Sequence, residues 1–198
     1  MHPNRAFAWD DEAALRAFVA EHGFAQICAC VDRAPMTAQA PLALHPDGSI
    51  RFHLARGNAL VPHLDGAIVI AAVMGEDGYI SPDWYGSDNH VPTWNYRLVE
   101  VHGRVRRLDE PALAEQVDLV SAAQEGQLAP KPAWTSAKLD PARMAALLKA
   151  IVGFSIDAPV LRGTAKLGQN RKPDEVAGAI AGLRALGNQA LADRMADQ

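Results

Sequence analysis

The chain has 198 residues, of which 49% are hydrophobic and 21% are charged, and its formal net charge is −4. This balance predicts one ordinary packed domain and excludes wholesale disorder, collagen-like sequence and a coiled coil. The 19 basic and 23 acidic residues argue mildly against a sequence-independent nucleic-acid binder, because that class usually carries a basic face.

Targeting signals and cysteine residues limit the cellular compartments in which the chain is expected to work. The first residues contain no apolar segment of the kind that a signal peptide needs. The longest apolar run, residues 67–74, is too short to cross a bilayer, which needs about 20 residues. Cys28 and Cys30 point to the same face of a predicted strand, so we expect inert packing residues and no disulfide between them. The chain is therefore predicted to be cytoplasmic, with no membrane partner.

The first half of the chain predicts one long helix, four strands and one short helix. An acidic start and an apolar stripe indicate a helix over residues 10–22, which Gly23 ends. Strands are predicted over residues 24–31, 36–44, 49–55 and 66–74. Residues 45–48, His-Pro-Asp-Gly, are typical of a hairpin turn. Asn58 is expected to cap a short helix over residues 58–64.

The second half adds strands and outer helices. Residues 97–108 alternate between polar and apolar, which predicts a strand, and residues 151–161 are predicted to form the last strand. Helices are predicted over residues 110–124, 141–150 and 174–195. Because no regular βαβ alternation and no Gly-rich fingerprint is present, we predict an α+β fold, a small barrel with peripheral helices. Residues 1–198 are expected to form one domain with a C-terminal helical extension at about 174–196.

A basic segment follows the predicted strand 49–55. Between positions 48 and 64 the chain has no acidic residue and four basic ones, Arg51, His53, Arg56 and His63. The amides at the start of the next helix would point at a common spot, so Arg56 and Asn58 are well placed to hold a phosphate or another anion. The alternative is an ordinary capped helix beside a surface arginine.

Aromatic residues are concentrated in one stretch. Five of the 12 aromatic residues fall between positions 79 and 96, namely Tyr79, Trp84, Tyr85, Trp94 and Tyr96. Prolines stiffen this stretch, and hydroxyl and amide groups accompany the rings. The combination suits a planar ring ligand or a protein interface. The alternative is a cluster that packs under a long loop.

Other chemistry is sparse in the sequence. Residues 162–172 carry four positive charges and no acidic residue, which suits a second anion contact, a solvated loop or an arm that reaches a partner subunit. We find no nucleophile elbow and no histidine spacing typical of a metal site, which argues against a hydrolase or a metalloenzyme.

Six blocks of sequence resemble the PaiB-type FMN-binding proteins, often described as negative transcriptional regulators. They are HLARGN (53–58), YISPDWY (79–85), VPTWNY (91–96), VHGRV (101–105), IVGFSI (151–156) and KLGQN (166–170). The resemblance extends over nearly the whole chain. Two positions depart from the family pattern, since Ala59 stands where a proline is expected and Gly168 where a serine is expected.

The resemblance implies a split β-barrel similar to that of pyridoxamine-phosphate oxidases, working as a homodimer with FMN in the subunit groove. It places Arg56 and Asn58 near the flavin phosphate, with His53 and Ala55 along the ribityl chain or the ring. It implies that Trp84, Tyr85, Trp94 and Asn95 line the groove. Lys166, Gln169 and Asn170 would arrive from a neighbouring loop or subunit.

Three functions follow from these observations and from the resemblance. The first is an FMN-binding protein, with a flavin-dependent reductase or oxidoreductase of unknown substrate as its enzymatic form. The second is a dimeric transcriptional regulator that contacts DNA through Arg104, Arg106 and Arg107 or through residues 162–172. The third is a binder of haem or another planar ligand, with an axial ligand from the set His53, His63 and His102.

Overall fold

The computed structural model describes residues 2–197, which contain eight strands and five α-helices. The strands are β1 (Ala8–Trp9), β2 (Phe24–Val31), β3 (Ala34–Leu44), β4 (Ile50–Ala55), β5 (Ile68–Ile80), β6 (Thr93–Arg107), β7 (Ile151–Ile156) and β8 (Val160–Lys166). The helices are α1 (Glu12–His22), α2 (Glu110–Gly126), α3 (Pro141–Lys149), α4 (Pro173–Ala185) and α5 (Gln189–Ala196). The α+β prediction is confirmed.

The described chain divides into two compact units. The ring unit contains residues 12–73 and 100–161, and the terminal unit contains the residues up to 11, residues 74–99 and the residues from 162 onward. Strands β5 and β6 are each divided, with one part in the ring unit and the other part in the terminal unit. Neither unit is therefore built from one continuous stretch of chain.

Six strands close the ring unit. The order is β5-β2-β3-β4-β7-β6, with β6 also the neighbour of β5, and the ring is not a regular barrel. The pairings β2–β3, β2–β5, β3–β4, β4–β7 and β6–β7 are antiparallel. Inside the ring, Phe52 of β4 stands opposite Phe154 of β7 and the two rings stack with their centroids 5.5 Å apart. Burial of such alternate apolar residues is the main force that closes the ring.

The terminal unit combines a small sheet with two helices. Strand β8 pairs with β1 on one side, with Ala8 opposite Thr164, and has β6 on the other side. Helices α4 and α5 bury Leu183 and Leu191 in a core that also contains Ile80. The helical segment predicted over residues 174–195 is therefore present as the two helices α4 and α5, which supply much of this core.

Two predicted elements near the candidate site take a different form. The short helix over residues 58–64 is instead a turn followed by a 3₁₀ helix, Val61–His63, because the Asn58 side chain closes a local turn. The predicted last strand is two strands, since the chain turns after Asp157 and resumes at Val160 as β8. Residues 162–166 of the basic segment 162–172 therefore belong to β8 and do not form a solvated loop.

The two cysteines are free thiols on one face of β2, and that face is not the one that packs inside the ring. The intervening Ile27 and Ala29 are buried in the ring, so the alternation turns Cys28 and Cys30 to the outer face. Cys28 is half-buried and Cys30 is exposed.

Within residues 2–197, no helix combines the length and the apolar character that a membrane span requires.

Candidate functional site

Arg56, in the ring unit, follows β4 directly and is fixed by backbone groups near the end of α3. Its backbone N–H donates to Ala150 O at 2.8 Å. Its guanidinium donates from Nε to Lys149 O at 2.6 Å and from Nη2 to Ile151 O at 3.0 Å. These bonds use two of the five N–H donors of the guanidinium. The remaining donors have a fixed orientation and no partner among the described residues, so they can bind an anion.

A cavity of about 160 Å³ lies beside this guanidinium. Arg56, Arg107 and Lys149 supply three cationic side chains to its lining, and Asp109 and Glu110 supply two carboxylates. Asp109 is partly committed, because its Oδ1 accepts from the N–H of Ala112 at 3.0 Å as the N-cap of α2. The cationic groups outnumber the carboxylates, and the small cavity suits a compact anion.

Asn58 shapes the turn that presents Arg56. Its Oδ1 accepts from the N–H of Leu60 at 2.9 Å, and its own N–H donates to Ala55 O at 2.9 Å. The side-chain amide nitrogen has no partner in the described part of the chain and remains a donor. The structure therefore brings Ala55, Arg56 and Asn58 together in one turn.

His53 lies on the face of β4 that α2 covers. Its cross-strand partner is Gly153, and a Cβ on Gly153 would lie 2.9 Å from the side chains of Leu108 and Leu113. Because paired residues of a sheet share a face, His53 is turned toward Leu113 of α2 and away from the ring interior. Its Nδ1 is buried without a partner in the described chain, and burial lowers the pKa of His53. The imidazole is therefore neutral at pH 7.

In the terminal unit, Tyr79 and Trp94 form an exposed aromatic pair. Their rings meet edge to face, with centroids 6.4 Å apart, and their exposed fractions are 44% and 55%. Large exposed aromatic side chains mark a surface that binds a ligand or a partner. This pair contains the most exposed aromatic residues of the stretch over residues 79–96.

Trp84 and Tyr85 belong to a 3₁₀ helix, Pro82–Tyr85, that packs against α4. A Cβ on Gly182 would lie 2.3 Å from the Trp84 ring, and one on Gly178 would lie 2.0 Å from Trp84 O. Tyr85 is buried within the core of the terminal unit. These contacts show that both side chains anchor their segment to α4.

Lys166 contacts the strand that carries Trp94. Its Nζ donates to Trp94 O at 2.8 Å and to the hydroxyl of Thr93. Burial lowers the pKa of Lys166, and the positive charge of Arg171 lowers it further. The ammonium group therefore lies beside the backbone of Trp94.

Three other predicted residues are held by the terminal unit itself or are solvated. Asn95 is buried, and its Nδ2 donates to the sulfur of Met195 at 3.4 Å. Gln169 closes its own turn, accepting from the N–H of Leu167 at 2.8 Å and donating to Ala165 O at 2.5 Å. Asn170 is exposed in the same turn.

The eleven predicted site residues therefore fall into two groups. Four lie in the ring unit and seven in the terminal unit. In the ring unit three of the four share a turn, and His53 faces α2. In the terminal unit Trp94 and Lys166 are in contact, whereas Trp84, Tyr85 and Asn95 pack inside. Their roles toward a cofactor remain predictions.

A polar network that the sequence analysis missed surrounds Glu175 of α4. Its Oε1 accepts from Ser87 Oγ at 3.0 Å and lies 3.1 Å from His90 Nε2, and its Oε2 accepts from the N–H of Lys172 at 3.2 Å. The Lys172 N–H first, and then Ser87 and His90, hold the pKa of Glu175 below its usual range. The sequence Lys-Pro-Asp-Glu at the start of α4 could have indicated that Glu175 accepts a hydrogen bond from the Lys172 N–H. No local signal indicated that His90 would contact Glu175.

The side chains proposed for DNA or haem are mostly engaged by this chain. Arg106 forms a bidentate pair with Asp157 at 2.8 and 2.9 Å, and Arg104 donates to Gly66 O. His102 Nε2 lies 2.9 Å from Glu100 Oε2. His63 and Arg107 are exposed. No group of three or more metal-ligating side chains comes together anywhere in residues 2–197.

A family of domains is similar to this chain, and three examples of similar known proteins are informative. A family model described as "Putative FMN-binding domain" matches residues 1–159. The Protease synthase and sporulation protein PAI 2 of Bacillus subtilis (strain 168) is 30% identical over 171 residues, which cover 84% of this chain and 81% of that protein.

The other two are solved structures. The FAD and heme binding protein from Mycobacterium smegmatis has a TM-score of 0.59 at 17% identity, over 87% of this chain and 79% of that one. A flavocytochrome from Azotobacter vinelandii has a TM-score of 0.58 at 17% identity, over 83% of this chain and 72% of that one. At such identity the two structures indicate a shared fold.

Proposed function

This chain belongs to the FMN-binding domain family whose model its residues 1–159 match, and on that premise we propose that it works as a homodimeric FMN protein. The observation that carries the proposal is the fixed guanidinium of Arg56 beside a small cavity with a cationic excess. We assign the phosphate end of FMN to this turn of the ring unit. The exposed pair Tyr79 and Trp94 is a separate candidate contact for a flat ring.

The residues of the turn fit a phosphate monoester in charge and in donor chemistry. The remaining N–H donors of Arg56 and the Nδ2 of Asn58 can donate to phosphate oxygens. Arg107 and Lys149 add positive charge to the same cavity lining, which offsets the carboxylates of Asp109 and Glu110. Ala59 at the family's proline position leaves this donor set unchanged, because the Oδ1 of Asn58 closes the turn through the Leu60 N–H.

When bound, FMN supplies hydride or electron transfer, and the protein supplies binding and orientation. An oxidoreductase of unknown substrate is the enzymatic form of this proposal. We favour a flavin over a DNA duplex as the anionic partner, because Arg104 and Arg106 are already bonded to groups of this chain.

We propose that the second subunit covers the outer face of β2 and β5 in the ring unit. Phe24 and Ile68 are 55% and 66% exposed there, and Ile70, the cross-strand neighbour of Cys28, is also exposed. The alternation places no charged residue on this face between Phe24 and Cys30 or between Ile68 and Ala72. An apolar face without charge is complementary to itself, which suits the isologous interface of a two-fold dimer.

Parallel titrations with FMN and riboflavin test the assignment of the phosphate. We expect Arg56→Ala to weaken FMN binding by about 10- to 100-fold, the range for a charge-assisted hydrogen bond, and to change riboflavin binding little. Arg106→Ala is the matched control, because it removes an exposed arginine of the same unit that pairs with Asp157. Both affinities can be measured by calorimetry.

The Arg56→Ala substitution also removes two hydrogen bonds to backbone carbonyls near the end of α3. A thermal melt of each variant, recorded before the titrations, therefore establishes that it is folded. If folded Arg56→Ala protein bound FMN as tightly as the parent, the phosphate assignment would be wrong. An equal loss of affinity for FMN and riboflavin would have the same meaning, because riboflavin lacks the phosphate.

A further inference from the structure

A second cavity of the ring unit has a chemistry unlike that of the Arg56 turn. It lies between the C-terminal half of α2 and residues 133–137, and its volume is about 360 Å³. Small-molecule sites typically have volumes of about 300–1,000 Å³. Its lining consists of Trp134, three alanines, a glycine and a few polar side chains. The Arg56 cavity shares none of these residues.

The wall that carries Trp134 is fixed to α2. The backbone N–H of Trp134 donates to Glu125 Oε2 at 2.8 Å, and Lys131 binds the same carboxylate. The hydrogen bond from Lys131 and then that from Trp134 hold the pKa of Glu125 below its usual range. The backbone at Trp134 is therefore held in place before any ligand arrives, which limits the entropic cost of ordering this wall on binding.

The cavity lining has one charged side chain, the carboxylate of Asp118, and three hydroxyl groups, those of Ser121, Thr135 and Ser136. Ser121 Oγ donates to Val117 O at 2.8 Å, so its own lone pairs remain as acceptors. The carboxylate of Asp118 also lines the cavity, and no hydrogen bond or ion pair with another described residue engages it.

The charged residues of α2 also favour a ligand of positive charge. The helix carries four carboxylates, Glu110, Glu115, Asp118 and Glu125, and no basic residue. Glu115 is paired with Arg51, and Glu125 with Lys131. Asp118 is left as the carboxylate that a ligand of opposite charge can reach from this cavity.

We propose that this cavity binds a small aromatic ammonium compound, with the flat apolar body against Trp134 and the ammonium group at Asp118. Tryptophan is the preferred side chain for contact with a cation or an aromatic ring, and the carboxylate supplies the opposite charge. The site is separate from the FMN proposal, and neither depends on the other.

Phenethylammonium is a suitable probe, read by the indole N–H signals of the full-length 15N-labelled protein. The chain has four tryptophans, and the signal that Trp134→Phe lacks belongs to Trp134. We expect a saturable shift of that signal. Asp118→Asn should weaken the affinity about tenfold, the effect of one hydrogen bond to a charged group. Glu115→Gln, which removes a carboxylate of the same helix outside the cavity, should bind as the parent does.

Two analogues separate charge recognition from simple apolar binding. Phenylacetate carries the opposite charge and 2-phenylethanol carries none, so both should bind at least about tenfold more weakly than phenethylammonium. Equal binding of the three compounds would overturn the proposal. So would unchanged affinity in Asp118→Asn, or no saturable shift of the Trp134 signal at probe concentrations up to about 10 mM. Dispersed amide spectra of each variant establish that it is folded.

Discussion

The guanidinium of Arg171 lies over the ring of Tyr85, with its carbon 4.8 Å from the ring centroid. Arg171 Nη1 also donates to His90 Nδ1 at 2.9 Å, and the ring of His90 meets Tyr85 at an interplanar angle of 62°. Because arginine only donates, Nδ1 of His90 accepts and Nε2 carries the hydrogen that faces Glu175. These contacts fasten the segment after Tyr85 to the start of α4.

The first prediction concerns this fastening. We expect Arg171→Ala to lower the free energy of unfolding by about 1–2 kcal/mol, because it removes a cation–π contact and a hydrogen bond. Lys172→Ala removes the neighbouring exposed cation and should cost less than about 0.5 kcal/mol. Urea denaturation followed by tryptophan fluorescence measures both. Equal losses in the two variants would contradict a specific role for the Arg171 contacts.

The second prediction is a pH dependence at the hairpin turn between β3 and β4. Asp47 accepts from the N–H of Ser49 at 2.9 Å and from Arg51 Nη2 at 2.8 Å. Hydrogen bonds with Ser49, and to a smaller degree with Arg51, lower the pKa of Asp47 from 3.8 to about 2. A carboxyl with a lowered folded-state pKa adds stability above its unfolded pKa, and that stability is lost as the pH falls toward the folded value.

We therefore expect Asp47→Asn to lower the free energy of unfolding at pH 7 by about 1 kcal/mol. The effect is modest because this carboxylate is more than half exposed and water screens its interactions. The difference between variant and parent should shrink as the pH falls from 4 toward 2, where the parent's own carboxylate takes up a proton. Urea titrations at pH 7 and at pH 3 test this, and a difference independent of pH would refute it.

The third prediction uses the close approach of α4 to Trp84. We expect Gly182→Ala to lower the free energy of unfolding by about 1–3 kcal/mol, because the added carbon would lie 2.3 Å from the indole ring. The helical preference for alanine, up to about 1 kcal/mol, works against this loss. Gly57→Ala adds the same carbon where no atom lies within 4 Å and should be nearly neutral. A stabilised Gly182→Ala protein would mean that Trp84 moves aside freely.

The fourth prediction concerns the apolar outer face of β2 and β5. If this face binds a second copy, Ile70→Lys should convert the dimer to a monomer, because an ammonium group would be buried without a partner. Leu186→Lys is the control, since it places the same charge on an exposed apolar residue in the terminal unit. Light scattering coupled to size exclusion gives the mass. A parent that is monomeric at all concentrations, or a dimeric Ile70→Lys variant, would contradict the interface.

Elements with local signals could be predicted from the sequence. The turn over residues 45–48 and the start of α3 at Asp140 and Pro141 lie within a residue or two of their predicted positions. At Asp140 the side chain accepts from the N–H of Arg143, so the signal and the structure are the same local bond. Strand β8 could not be predicted past residue 161, because it depends on pairing with β1, more than 150 positions earlier.

In the candidate site, too, features with a local sequence signal could be predicted and features that depend on distant residues could not. The strand period of two separates His53 from Phe52, but it does not say which face a helix will cover. Ser87 and His90 meet Glu175 across more than 80 positions of sequence, and nothing local marks that meeting. The position of Arg56 at the end of a strand, by contrast, was readable, since it depends only on where β4 stops.

The division of the chain into two units also determines when each part of the protein can form during synthesis. All residues of the ring unit are outside the ribosome once residue 161 has emerged, whereas the terminal unit waits for its last two helices. Ile80, Trp84 and Tyr85 are made early but have no core to enter until α4 and α5 leave the ribosome. A nascent chain arrested at a length at which residue 161 has left the ribosome but α4 has not should therefore resist protease across the ring strands and be cleaved between residues 80 and 92.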